Sequence, residues 1–174
     1  MRHGTAAVLV FLAAAGPVHA QAKPAPTDPE IAHIAVTANR IDSDLAKVAK
    51  TKSRNAQVVR FAETMMADHT SVIEQATALV TKLHVTPQDN DISRALARAA
   101  QEATTRLQGL SGAAFDRAYM EREVAYHKAV IDAVRQVLIP NAKNGELQAL
   151  LEKVAPVLDG HLRHAQEVQA ALGR

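Results

Sequence analysis

Asp42, His69, His127 and His161 are the residues of this chain whose types and placement could do chemistry. Imidazole and carboxylate are the usual ligands of zinc, iron and copper. The same groups, buried and hydrogen-bonded to one another, can instead fix the register of packed helices without binding anything. Asp68, Asp116, Glu123 and His164 form a second tier beside the four. No nucleophile–base spacing accompanies them, so the residues do not spell out a catalytic site. Nearby features have simpler readings. Glu30-Ile31-Ala32-His33 has ExxH spacing, but a glutamate in a first helical turn serves the helix dipole. His161 and His164, three apart, could chelate together. Met65 and Met66 suit core filling, and Arg94 and Arg98 an outer, solvated face.

The elements that must position these groups are helices. Alanine, leucine, glutamine and charged residues dominate, and β-branched alternation is absent. The periodicity predicts helices from about Pro29 to Lys52, Asn55 to His84, Asp91 to Gly109, Ser111 to Ile139 and Glu146 to Leu172. Asp28 is the expected first N-cap, with Pro29 at the first helical position. Pro140 is expected to stop the fourth helix, and Pro156 to kink the last. At 100° per residue, His69 falls in the stripe of Phe61, Met65, Val72 and Ala76, and His127 in that of Met120, Val124 and Ile131. His161 shares a stripe with Leu151, Leu158 and Ala165, and Asp42 one with Ala38, Leu45 and Ala49. Each of the four sits near the middle of a long helix. In an antiparallel bundle, mid-helix positions share one level, so the four are expected in one internal layer. The expected fold is all-α, an up-and-down four-helix bundle with one additional shorter helix.

The ends and the composition bound the setting. Arg2, the apolar run Ala6–Ala15, the Gly16-Pro17 break and Val18-His19-Ala20 read as a secretory signal cleaved after Ala20. Residues 21–28 read as a flexible Pro/Ala-rich tether and 29–174 as one domain. A periplasmic or secreted location follows, with no transmembrane segment after cleavage. The chain has no cysteine, so neither a lipid anchor on cysteine nor a disulfide is available. Its formal net charge is +2, without a polybasic run or a tryptophan, which argues against nucleic acid as a partner.

Three segments carry a family resemblance: "FAETMMADH" at 61–69, "GAAFDRAYMEREVAYH" at 112–127 and "LEKVAPVLDGHLRHA" at 151–165. With a signal peptide ahead, they resemble the exported bacterial family of domain of unknown function 4142 across the mature chain. The resemblance implies a ferritin-like helical bundle of unsettled biochemical role. It places the recurrent elements on Asp68 and His69, on Phe115, Asp116, Tyr119 and His127, on Pro156 and His161, and on Asp42. The family usually has Glu at the positions of Asp42 and Asp44, and often Gln at that of Glu123. The two inward Glu-x-x-His motifs of di-iron ferritins are lacking, so ferroxidase activity is not expected.

Three readings stay open. In the first, the protein is a non-enzymatic exported bundle whose His/Asp layer is structural or holds one metal ion, zinc or iron. In the second, it is a metal-dependent envelope enzyme of stress protection. In the third, it is an interaction module whose Ala-rich outer faces form a homodimer or contact the envelope.

Overall fold

A computed structural model describes residues 24–173. The expected signal at residues 1–20 and the first part of the expected tether lie outside the described residues. Helices α1 (Asp28–Lys52), α2 (Ala56–Lys82), α3 (Asp91–Gln108) and α4 (Gly112–Ala133) are followed by a π-helical turn, Val134–Leu138. The short α5 (Ile139–Asn141) and the long α6 (Gly145–Leu172) complete the chain, and no strand occurs among the described residues. The fold is all-α. The long helices α1, α2, α6 and α4 pack in a ring, each against the next.

α3 sets the polarity of that ring. Its start is tied to the start of α1, where Asn90 Nδ2 donates to the Glu30 carbonyl. Its end is tied to the end of α1, where Lys52 Nζ donates to the carbonyls of Leu107 and Gln108. α3 therefore runs beside α1 as a crossover and returns the chain to the opposite end of the bundle. Every neighbouring pair in the ring is then antiparallel, and mid-helix positions meet at one level.

Local chemistry explains most boundaries. Asn55, Asn90 and Asn144 cap α2, α3 and α6, each side-chain oxygen accepting two backbone N–H groups. The N-cap of α1 is Thr27, not Asp28. The Glu30 carboxylate accepts from the Thr27 N–H and hydroxyl. Asp28 is thereby released to accept from the N–H groups of Lys143 and Asn144, which fastens the α5–α6 loop to the start of α1. α2 ends at Lys82 rather than His84, whose φ of 53° is left-handed and outside the helical region. Pro140 does not stop the fourth helical segment at Ile139. The π turn ahead of it widens the spiral, and helical backbone continues to Asn141, whose side-chain amide donates to the Val137 carbonyl. Pro156 sits within an α6 that runs through unbroken.

The core is in two parts. One gathers Leu45, Ala49, Phe61, Met65, Phe115 and Tyr119. The other gathers Ile31, Ile34, Ile131, Leu138, Leu147 and Leu151. Between these clusters all four long helices bury polar side chains: Asp42, His69, Glu123 with His127, and His161. A polar layer thus divides the apolar core across its whole width.

Candidate metal centre

Asp42, His69, His127 and His161 are all buried, with between 0 and 6% of their surface exposed. The rings of His69, His127 and His161 form a triangle with centroids 5.0, 5.4 and 5.8 Å apart. One ligand atom from each histidine lies within 4.8 Å of the other two, and the same holds for Asp42, Glu123 and His127. His69 Nε2 lies 2.7 Å, and His127 Nε2 3.5 Å, from Asp42 Oδ2.

The surrounding hydrogen bonds fix which ring nitrogens carry protons. Asn39 Nδ2 donates to the Ala35 carbonyl, which turns Asn39 Oδ1 toward His69 Nδ1 at 2.7 Å. An amide oxygen only accepts, so His69 Nδ1 holds the proton. His127 Nδ1 lies 3.0 Å from the Glu123 carbonyl and must donate as well. His161 Nε2 lies 2.9 Å from Asp68 Oδ2 and donates to that half-exposed carboxylate. In the neutral form of each ring the second nitrogen is a bare lone pair. Those three atoms, His69 Nε2, His127 Nε2 and His161 Nδ1, have no hydrogen-bond partner, and neither has Asp42 Oδ2. The three histidines thus offer one group of ligand atoms and Asp42, Glu123 and His127 a second, with His127 common to both. Nitrogen and carboxylate lone pairs in contact at 2.7 Å repel unless a cation lies between them. A proton on His69 Nε2 would make the 2.7 Å contact a charge-assisted hydrogen bond. One metal ion would instead join the three histidines, and a ligating histidine whose other nitrogen donates to an oxygen is the usual arrangement at metal sites.

Arg122 supplies the positive charge already present. Its Nη1 donates to Asp42 Oδ1 at 2.6 Å and to Glu123 Oε1 at 2.7 Å. Its guanidinium carbon lies 3.8 Å from the centre of the Tyr126 ring, whose hydroxyl donates to the Ala38 carbonyl. Burial alone would raise the Asp42 pKa, but a hydrogen bond from His69 and the Arg122 charge outweigh it and hold Asp42 ionised. Glu123 is pushed well above the usual range by burial and then by the Asp42 charge, so it keeps its proton. Burial also takes the His127 pKa down to about 4, and lowers that of His161. At neutral pH His127 and His161 are therefore uncharged, the form in which imidazole ligates.

The four residues singled out in the sequence are thus brought together. Of the second tier, Asp68 orients His161, and Glu123 Oε2 lies 3.6 Å from His127 Nδ1. Asp116 is buried about two helical turns from Glu123 on α4. His164 turns its ring to the edge of Phe61, 5.1 Å between centroids, rather than joining His161. Sequence reasoning passed over Asn39, Arg122 and Tyr126. Asn39 stands one turn before Asp42 on the same face of α1, a spacing that could have flagged it. Arg122 carried no such signal, since a cation beside a glutamate on a helix ordinarily faces water.

The family described as "Domain of unknown function (DUF4142)" matches residues 13–168. The chain belongs to the DUF4142 family. The motifs that suggested it hold three of the four converging residues. No curated protein matches this DUF4142 chain. Its fold is similar to a solved structure described as "CopM in the Cu(II)-bound form". The two share 14% sequence identity with a TM-score of 0.63, over 84% of this chain and 98% of that one. At that identity the likeness concerns the helical fold alone.

Proposed function

We propose that this DUF4142 protein is an exported helical bundle that holds one divalent transition-metal ion. His69 Nε2, His127 Nε2, His161 Nδ1 and Asp42 Oδ2 would be its ligands. The observation that carries the reading is the three buried histidines with ligand atoms within 4.8 Å of one another, and Asp42 Oδ2 2.7 Å from His69 Nε2. Three imidazoles and a carboxylate, with no thiolate, suit zinc, copper(II) or iron(II) over magnesium or calcium. Copper(II) stands beside zinc because it leads the stability order for such ligands, and because the CopM structure of similar fold is described as Cu(II)-bound. Export is supported by Arg2, the apolar run at 6–15 and Val18-His19-Ala20. Among the described residues no helix is long and apolar enough to cross a membrane.

The test is metal analysis of protein taken from the envelope compartment, followed by titration of metal-free protein with zinc, copper(II) and iron(II). One equivalent is expected to bind. It should add about 2.7 kcal/mol of stability at a free ion concentration a hundred times Kd. His69→Gln, His127→Gln and His161→Gln should each abolish that gain, while His33→Gln and His84→Gln leave it intact. A gain that survives all three substitutions in the layer would reject the site.

A further inference from the structure

A cavity of about 110 Å³ lies inside the bundle on the α1 N-terminal side of the polar layer, with His69 and His127 among its lining. Its walls are otherwise almost wholly apolar, and the space comes from small side chains. Ala32, Ala35, Ala38, Ala76, Ala129 and Ala133 stand on α1, α2 and α4 where bundle cores ordinarily carry larger residues. The π turn at Val134–Leu138 adds two further lining residues, its first and last. The lining residues exposed to solvent are Ile92 of α3 and Ala129 of α4, which marks a mouth between those helices.

We infer that this cavity is a binding site for a small neutral apolar molecule, no larger than about one aromatic ring. A cavity of roughly 150 Å³ lined by Leu, Ile and Phe stays dry and takes benzene or xenon. The polar groups at its inner end have no donor to spare for a charged or strongly polar guest. Asn39 Nδ2 is given to the Ala35 carbonyl, the Tyr126 hydroxyl to the Ala38 carbonyl, and the Nδ1 protons of His69 and His127 to Asn39 and Glu123. Water needs two to four polar partners; beyond the inner end, where Asn39, His69, Tyr126 and His127 lie, the walls offer no polar side chain. A guest of this kind would lie against the imidazoles of the layer whether or not the layer holds metal. The site therefore stands on the cavity alone.

The probes are benzene in solution and xenon in crystals of the full described domain. Benzene should raise the melting temperature of wild type and shift amide resonances of lining residues. Ala35→Leu and Ala133→Leu, which fill the space, should weaken benzene at least tenfold while leaving the metal titration unchanged. Failure of this idea and failure of the metal site are thereby read separately. Xenon should give one strong peak between α1, α4 and α6, a readout that needs no variant to fold. No benzene uptake with no xenon peak overturns the inference. So does benzene binding undiminished in both folded leucine variants, or xenon elsewhere only.

Discussion

Arg122→Met is expected to cost about 3–5 kcal/mol of stability in the metal-free protein, measured by urea denaturation. Asp42 is fully buried and ionised, and Arg122 is its charge partner at 2.6 Å. Methionine keeps much of the arginine's volume and its packing on Tyr126, but leaves the carboxylate without a counter-charge. The loss is a large part of the 5–15 kcal/mol that holds a typical domain. Asp42→Asn added to Arg122→Met should restore most of it, because the stranded charge is then gone. Arg122→Lys should fall between, as a point charge lacks the planar stacking on Tyr126. An Arg122→Met protein within 1 kcal/mol of wild type would show that Asp42 is not held ionised in the way described.

The second large effect concerns acid, again in metal-free protein. His127 remains neutral in the fold down to about pH 4, whereas an unfolded histidine takes its proton near 6.5. Between those values unfolding takes up a proton. Stability then falls as pH falls, by about 1.4 kcal/mol per pH unit. Glu123 works in the opposite sense. The fold keeps it protonated and an unfolded glutamate is ionised above about 4.5, so unfolding releases a proton. The Glu123 release offsets one uptake, and His161, whose pKa burial also lowers, leaves wild type a shallow loss of stability toward acid between pH 6.5 and 4.5. Glu123→Gln preserves the shape, stays neutral, and removes the release. Its stability should fall toward acid more steeply than wild type by about 1.4 kcal/mol per pH unit, approaching 3 kcal/mol across the window. Parallel profiles would contradict the assignment of the proton to Glu123.

What could be read without coordinates was whatever periodicity encodes. The apolar stripes placed His69, His127, His161 and Asp42 on inward faces, and helix length placed them at one height, so the layer was legible as a set. The acceptors that orient it were not. Asn39 has a polar side chain like many on exposed faces, and its meaning rests on the direction of its amide toward His69. Arg122 gave no signal because side-chain charge says nothing about burial. Asp28 was the expected cap, but Thr27 is as good an N-cap, and Asp28 is instead taken up by Lys143 and Asn144, more than a hundred residues away. The continuation of helical backbone through Pro140 rests on a π turn, which has no composition of its own. The cavity was hidden for a related reason, since alanine on an inward stripe reads as close packing until the opposite wall is known.

The central claim is that one metal ion occupies the point where the histidine lone pairs meet. Crystals of the protein grown with one equivalent of zinc or copper, measured at the absorption edge of that metal, test it most directly. The account predicts a single anomalous peak bonded to His69 Nε2, His127 Nε2 and His161 Nδ1 at about 2.0–2.1 Å, with an Asp42 oxygen at about 2.0–2.2 Å. A peak at surface groups only, or none within reach of these three nitrogens, would contradict it.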